Sequence, residues 1–237
     1  MKRVLGAIRR ADQDFGMIQP GDRVAVGVSG GKDSLLLLEA LARYRSFAPN
    51  PFELTAITVS MGLEPFDLSG IRAMCARLDV PYAVEQTQIG RIVFEERREK
   101  NPCALCAKMR RGALARACLN QNCNKLALGH HRDDALETLM MSVIFEGRLH
   151  TFHPVTRLER TGIVQIRPMA YLSEKEVIHE AKKLNLPVVK SPCPANGETR
   201  RAEMKALLDA LCRKYPNARE QMLSALMNQE QYGLWER

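Results

Sequence analysis

A short run of the 237-residue chain combines glycines, hydroxyls and a lysine in a spacing that suits phosphate chemistry. The run is Ser29-Gly30-Gly31-Lys32-Asp33-Ser34, between a β-branched stretch and an apolar one. Glycines let the backbone approach an anion, and free N–H groups at a helix start point at it. Lys32 adds a positive charge, and Ser29 and Ser34 can donate hydroxyl hydrogen bonds. We therefore expect a phosphate-binding loop at this point.

The loop differs from the Walker type of phosphate loop. That type needs Gly at position 26 and Ser or Thr at position 33, where the chain has Val26 and Asp33. A carboxylate beside a phosphate repels it unless Mg²⁺ or a proton intervenes. The pattern suits Mg-ATP with pyrophosphate held as a leaving group, and it indicates catalytic roles for Lys32, Asp33 and Ser34.

A second segment, Gly129-His130-His131-Arg132-Asp133-Asp134, follows a predicted strand and begins a predicted helix. Carboxylates are favoured in the first turn of a helix by its dipole. One of the two aspartates can cap the helix while the other reaches Mg²⁺ or Lys32. We predict Gly129, His130 and Asp134 as further contacts of ATP.

The cysteines suggest a metal or cluster rather than disulfides, because there are seven and the chain shows no secretion signal. Cys103 and Cys106 form a CxxC at a predicted helix start, where the helix end and nearby basic residues stabilise thiolates. A CxxC by itself suits a redox pair, half a zinc site or half a cluster site.

The third ligand is the next question. Cys118 lies twelve residues beyond Cys106, about 18 Å along a continuous helix at about 1.5 Å per residue. Cys193 follows the last predicted strand, on the ligand side of a parallel sheet, and is the better candidate. Three cysteines disfavour structural zinc, which takes four ligands. They suit a four-iron cluster with one open iron.

Strands and helices alternate along the chain, which predicts a mostly parallel, five-stranded α/β sheet with helices on both faces, of the Rossmann-like type. A further strand is considered over 186–189. We expect an N-terminal helical segment over 1–22, an ATPase domain with the cluster-binding loops over 23–200, and a C-terminal helical segment over 201–237. Three segments fall beyond the carboxyl ends of predicted strands, where such sheets bind ligands: the phosphate loop after Val28, the segment after Leu128, and the segment after Val189, which holds Cys193.

The charge balance suits a polyanionic partner, since 35 lysines and arginines against 27 acidic residues give a formal charge of +8. Basic residues flank the proposed cluster ligands, and a nucleic acid reaching the site would meet them first. The RNA-binding candidates are Lys108, Arg110, Arg111, Arg200 and Arg201. No apolar run reaches the roughly 18–20 residues of a membrane helix, so we expect a cytoplasmic protein without a membrane partner.

These motifs together resemble a known family. Val-Ser-Gly-Gly-Lys-Asp-Ser is similar to the signature of the PP-loop ATP pyrophosphatases, which share the adenine nucleotide α-hydrolase-like fold. Pro-Cys-Ala-Leu-Cys-Ala-Lys-Met-Arg-Arg-Gly, Gly-His-His-Arg-Asp-Asp and Ile-Arg-Pro-Met-Ala-Tyr resemble the tRNA 2-thiocytidine synthetases, and they stand in that family's order over about residues 20 to 200.

The resemblance implies an ATP-dependent tRNA sulfurtransferase. It would adenylate a tRNA cytidine, cytidine 32 of the anticodon loop, and replace its C2 oxygen by sulfur. Implied cofactors are ATP, Mg²⁺ and a [4Fe-4S] cluster on Cys103, Cys106 and Cys193. Implied partners are tRNA, a sulfur donor such as a cysteine desulfurase, and a second copy in a homodimer. The alternatives are a lysidine-type adenylating ligase with a zinc clip, a small-molecule sulfurtransferase or desulfurase, and a nucleotide sensor.

Overall fold

The computed structural model describes residues 1–63, 67–97, 102–189, 200–228 and 233. The helices are α1 (Lys2–Phe15), α2 (Lys32–Tyr44), α3 (Ser69–Arg77), α4 (Ile89–Arg91, continued by a π-helix over Ile92–Glu96), α5 (Pro102–Asn120), α6 (Arg132–Glu146), α7 (Glu174–Lys183), α8 (Arg200–Lys214) and α9 (Ala218–Met227). The strands are β1 (Asp22–Gly27), β2 (Phe52–Ser60), β3 (Tyr82–Gln86), β4 (Lys125–Ala127), β5 (Val155–Arg157) and β6 (Val164–Ile166).

The strands form one sheet in the order β3-β2-β1-β4-β6-β5. All neighbouring pairs are parallel except β5 and β6, which are antiparallel. The prediction of a mostly parallel α/β sheet is confirmed, but the number of strands was wrong, because the sheet has six. The additional strand is β5, an edge strand of three residues.

The sheet packs helices on both faces, because successive side chains of a strand point to opposite sides. Val24 and Val26 of β1 lie in the larger apolar cluster, together with buried residues of α1, α2 and α7. Ala25, between them, lies in a second cluster with Ala117 and Cys118 of α5. Helix α2 is mostly apolar and is buried from Ser34 to Leu41 and at Tyr44. It packs beside α1 and α7 on the face of the sheet that holds the larger cluster.

The direction of α5 decides which of its residues reach the ligand side of the sheet. The Sγ of Cys118, near the end of α5, lies 3.7 Å from the carbonyl of Lys125, the first residue of β4. Cys106, near the start of the helix, packs in a cluster with Val59 close to the end of β2. Helix α5 therefore runs from the carboxyl edge of the sheet to its amino edge.

Helix α7 begins with a capping box formed by Ser173 and Glu176. Ser173 Oγ accepts a hydrogen bond from the backbone N–H of Glu176, and the Glu176 carboxylate accepts one from the N–H of Ser173. Residues 186–189, considered as a strand, form none in the structure. Pro187 lacks the N–H that a ladder needs, and the N–H of Val189 bonds the carbonyl of Gly30 at 3.0 Å.

The chain divides into two compact units, which are described separately. The first comprises residues 1–131 and 153–196 and contains the sheet with α1 to α5 and α7. The second comprises 132–152 and 197–237 and contains α6, α8 and α9. Among the described residues, no helix combines the length and the apolar character that crossing a membrane requires.

Candidate active site

The loop between β1 and α2 is closed by its own hydroxyl groups. The N–H of Ser29 donates to Ser34 Oγ at 3.1 Å, and Ser34 Oγ donates to the carbonyl of Gly31 at 3.0 Å. Gly30 has φ +82°, a left-handed conformation that glycine adopts without steric cost. The loop thus ends on the first turn of α2, whose leading N–H groups have no acceptor within the helix. This geometry fits an anion.

Lys32 stands at the first position of α2 with carboxylates beside it. Its Nζ lies 3.1 Å from Asp33 Oδ1 and 3.4 Å from Glu174 Oε1. His131, which is buried, places its Nε2 3.8 Å from the same Asp33 oxygen. One ammonium group, two carboxylates and one imidazole therefore lie within about 4 Å of a neighbour in this group, at the start of α2.

The segment after β4 lies directly against the start of α2. A Cβ on Gly129 would come within 2.9 Å of the Asp33 carbonyl carbon and 3.0 Å of the Ser34 nitrogen, so a larger residue does not fit. The N–H of Leu128, one residue earlier, bonds the carbonyl of Ile166 in β6. Since strand order reverses between β1 and β4, both loops open at a topological switch point, where sheets of this kind bind ligands.

In the second unit, the two aspartates at the start of α6 face arginines. Asp133 Oδ1 lies 2.7 Å from Arg219 Nε, and Asp134 Oδ1 lies 3.4 Å from Arg201 Nη1. Arg201 also lies 3.3 Å from the carboxylate of Glu137. The structure thus joins Asp134, a predicted ATP contact, to Arg201, a predicted RNA contact, through an ion pair.

The CxxC opens α5 at the carboxyl edge of the sheet. Cys103 is exposed, and Cys106 is buried against Ile89 and Val93. Residues three apart lie on the same face of a helix, so the two sulfurs can serve one site. Lys108, Arg110 and Arg111 follow on the same helix and are exposed. Cys193, the third predicted ligand, lies outside the described residues.

The remaining cysteines occupy different surroundings. Burial raises the pKa of the Cys75 thiol to about 11 and, with a smaller effect of Cys123, that of Cys118 to about 12. Burial also raises the pKa of Cys123. A metal ligand must be a thiolate, so these three positions are poor ligands. Cys212 lies in α8, in the second unit.

Three groups near the site were not singled out from the sequence. Glu174 reaches Lys32, and His131 reaches Asp33, from distant parts of the chain. The adjacent histidines of the Gly-His-His segment were the only sequence signal for His131. Arg167 is buried at the end of β6, with Nη1 on the His153 carbonyl at 2.5 Å and near Thr156 Oγ1. Burial and the charge of Arg111 lower the pKa of Arg167 to about 10.

Arg200 and Arg201, the other RNA-binding candidates, begin α8 in the second unit. Arg200 is exposed and stacks on Phe145 of α6, with its guanidinium carbon 4.7 Å from the ring centre. The basic candidates on α5 and those on α8 therefore belong to different compact units.

A phosphate loop between the first strand and its helix, at the switch point of a parallel sheet, defines a nucleotide-binding class of enzyme. A model of the PP-loop domain matches residues 6–210 of the chain. The chain belongs to the PP-loop family, and the expected family resemblance is confirmed.

Within this family the chain is similar to tRNA-thiolating proteins. It is 39% identical to the tRNA-cytidine(32) 2-sulfurtransferase of Pelobacter propionicus over 230 residues, which cover 96% of this chain and 86% of that protein. The enzyme of the same name from Geobacter sulfurreducens is 38% identical, with 96% and 90% covered. The solved structure of the U34-tRNA thiolase NcsA of Methanococcus maripaludis with its [4Fe-4S] cluster superposes with TM-score 0.77 at 27% identity, covering 100% of this chain and 80% of that one.

The residues at the start of α5 fit two ligands of such a cluster. Cys103 is exposed and Cys106 is buried in an apolar cluster, both near the start of α5, and three exposed basic residues follow. Within the described ranges, no cluster of three or more metal-ligating side chains occurs.

Proposed function

We propose that this chain is an ATP-dependent tRNA-cytidine 2-sulfurtransferase, which adenylates cytidine 32 of tRNA and replaces its C2 oxygen by sulfur. One observation carries the proposal. The phosphate loop follows β1, and the CxxC, with Cys103 exposed and Cys106 packed near Val59 at the end of the neighbouring strand β2, lies at the same carboxyl edge of the sheet. ATP chemistry and sulfur chemistry are therefore available at one substrate site, as thiolation of a carbonyl carbon requires.

The first half of the reaction uses the phosphate loop. The C2 oxygen of the cytidine attacks the α-phosphorus of ATP, the bond to the β-phosphate breaks, and pyrophosphate leaves. Lys32 offsets negative charge on the phosphates, and Ser29 and Ser34 with the N–H groups of Gly30 and Gly31 hold their oxygens. Asp33 would hold Mg²⁺ beside the phosphates, and the ion would supply positive charge there, because a bare carboxylate would repel them.

The second half uses the CxxC. Cys103, Cys106 and Cys193 would hold a [4Fe-4S] cluster, and the cluster would supply the sulfur chemistry. Sulfur bonds to C2 of the nucleotide, the C2–O bond breaks, and AMP leaves with that oxygen. Adenylation makes this possible, since AMP is a better leaving group than the oxygen of a neutral pyrimidine.

The basic residues of α5 and α8 bind the RNA backbone in this proposal. Lys108, Arg110 and Arg111 follow the CxxC, and Arg200 and Arg201 follow the position of Cys193. Gly129, His130 and Asp134 complete the ATP site. The protein acts in the cytoplasm as a homodimer and receives sulfur from an external donor such as a cysteine desulfurase.

The proposal is tested by nucleoside mass spectrometry of tRNA from a strain that lacks this gene. We expect 2-thiocytidine to disappear, to return with the wild-type chain, and to stay absent with Lys32→Ala. Purified Lys32→Ala protein should fold and bind iron yet release no pyrophosphate from ATP in the presence of tRNA. Normal 2-thiocytidine in the deletion strain, with another nucleoside missing, would contradict the proposed substrate.

A further inference from the structure

Among the described residues, Lys32 has two carboxylate neighbours, and one of them, Glu174, lies outside the phosphate loop. Asp33 follows Lys32 in the chain, whereas Glu174 reaches it from the start of α7, with Oε1 3.4 Å from Lys32 Nζ. The Lys32 and Glu174 side chains are 30% and 20% exposed, so solvent screens their interaction only partly. The loop cation therefore already has a fixed anionic partner outside the loop.

The location of Glu174 is set by contacts that do not involve Lys32. The capping box of Ser173 and Glu176 fixes the first turn of α7. Further along, Val177 is buried in the core beside residues of α2, and the N-terminal amine of the chain pairs with Glu180. The helix would present a carboxylate to Lys32 even without attraction between the two groups.

A bound nucleotide would bring further anionic groups into contact with the Lys32 ammonium. Phosphate oxygens are strong acceptors for an ammonium group, and any phosphate that contacts Lys32 Nζ comes within about two contact lengths of the Glu174 carboxylate. The two anions repel one another, and both seek the same cation. The bound phosphate and the Glu174 carboxylate therefore each weaken the interaction of the other with Lys32.

We propose that Glu174 is a positioning residue that competes with ATP and pyrophosphate for Lys32, weakening the binding of both and favouring the release of pyrophosphate. This inference rests on the proposed function, in which Lys32 binds the phosphates. Glu174 is the counter-ion to which Lys32 returns when the phosphates leave. It keeps the loop lysine aligned between turnovers and limits inhibition by the product.

The inference is tested by calorimetric titration of the full-length protein with pyrophosphate and, separately, with Mg-ATP. Glu174→Gln keeps the size of the side chain and removes its charge. We expect it to bind pyrophosphate about fivefold more tightly than the wild type, a factor that corresponds to ~1 kcal/mol. The gain should shrink at high salt, because screening weakens the repulsion. Glu174→Ala should change affinity in the same direction.

The matched control is Glu176→Gln, two residues further along the same turn. It removes the same charge, but Glu176 pairs with Arg3 rather than with Lys32, and glutamine is accepted at this place in a capping box. We expect its affinity for pyrophosphate to equal that of the wild type. A general loss of negative charge would instead tighten binding in both variants, and that result would overturn the inference.

Steady-state kinetics supply a second measurement. Glu174→Gln should lower the inhibition constant of pyrophosphate and the KM for ATP, a gain that a merely destabilised protein cannot show. Unchanged or weaker binding by Glu174→Gln, with normal binding by the wild type, would overturn the inference alone. Failure of the wild type to bind ATP or pyrophosphate would overturn both the inference and the proposed function.

Discussion

The two ends of α5 hold cysteines in opposite surroundings. At the first turn, Cys103 is exposed, Cys106 is near the end of β2, and basic residues follow. Near the last turn, Cys118 is fully buried, and its Sγ donates to the carbonyl of Lys125. Burial raises the pKa of the Cys118 thiol to about 12.

The difference shows that position relative to the sheet edges decides what a cysteine can do. The start of α5 lies at the carboxyl edge, where ligands bind, and its end lies at the amino edge, where Cys118 packs as a small apolar residue. A helix start favours thiolates, while a dry interior disfavours them. The number of cysteines in the chain therefore exceeds the number available to a cluster.

The largest expected effect is the loss of bound iron when the cysteines at the first end of α5 are changed, with iron retained when Cys118 at the other end is changed. Cys103→Ser, Cys106→Ser and Cys193→Ser should each reduce reconstituted iron and sulfide to background, because each removes a thiolate from a three-ligand set. Serine in place of Cys75, Cys118, Cys123 or Cys212 should retain iron at the wild-type ratio. Iron loss with Cys118→Ser, and retention with Cys193→Ser, would reverse the assignment.

Thiol reactivity should differ between the two ends by roughly two orders of magnitude or more, because only a thiolate attacks an alkylating reagent. At pH 8 a thiol with a pKa of about 12 is about one part in 10⁴ thiolate. In apoprotein treated with iodoacetamide, peptide mass spectrometry should find Cys103 modified long before Cys118. Raising the pH towards 10 should speed modification of Cys118, since its thiolate fraction grows tenfold per pH unit. Equal rates in folded protein would contradict the contrast.

Affinity for tRNA should depend on the basic residues at the first end of α5. Log affinity should fall linearly with log salt concentration, because bound phosphates release counter-ions. Arg110→Glu with Arg111→Glu should weaken binding by about tenfold or more at low salt and reduce the slope, as lost phosphate contacts require. Filter binding with radiolabelled tRNA measures both quantities.

The matched control for that experiment reverses the same number of charges elsewhere. Arg9 and Arg10 are exposed on α1, a different helix from the one that carries the CxxC. Arg9→Glu with Arg10→Glu should change affinity much less than the α5 variant. An equal loss of affinity in both would mean that the net charge, rather than the end of α5, attracts tRNA.

The smallest expected effect concerns stability, which should depend on the cysteine at the far end of α5 rather than on the one at its start. Cys118→Ala removes a buried sulfur and should lower the free energy of unfolding of apoprotein by ~1 kcal/mol, whereas Cys103→Ala at an exposed site should change it by less than about 0.5 kcal/mol. Urea titration followed by circular dichroism gives both values. Equal stability of the two variants would show that burial of Cys118 contributes nothing.

The sequence was sufficient for the parts of the site whose chemistry is local. The phosphate loop is a contiguous run between a β-branched stretch and an apolar one, and in the structure these two stretches are β1 and α2. The capping box of α7 is likewise local. The exclusion of Cys118 as a partner of Cys106 followed from the length of one continuous helix, which the structure contains as α5.

Other features depend on tertiary contacts that a sequence does not display. Strand β5 has only three residues and pairs antiparallel with β6. Three residues are too few to show the alternation of apolar and polar side chains from which a strand is predicted. Residues 186–189 are apolar enough for a strand, yet Val188 is 54% exposed and Val189 bonds the phosphate loop instead. The meeting of Glu174 with Lys32 joins elements far apart in the chain, and only the packing of α7 beside α2 reveals it.

The central claim is that one sheet edge couples ATP cleavage at the loop to sulfur transfer at the start of α5. The most direct measurement is liquid chromatography with mass spectrometry of tRNA nucleosides after an anaerobic reaction of reconstituted protein, ATP, sulfide and unmodified tRNA. We expect 2-thiocytidine with the wild type and with Cys118→Ser, and none with Lys32→Ala, with Cys103→Ser or without ATP. Formation of 2-thiocytidine by the Cys103→Ser protein, or in the absence of ATP, would contradict the account.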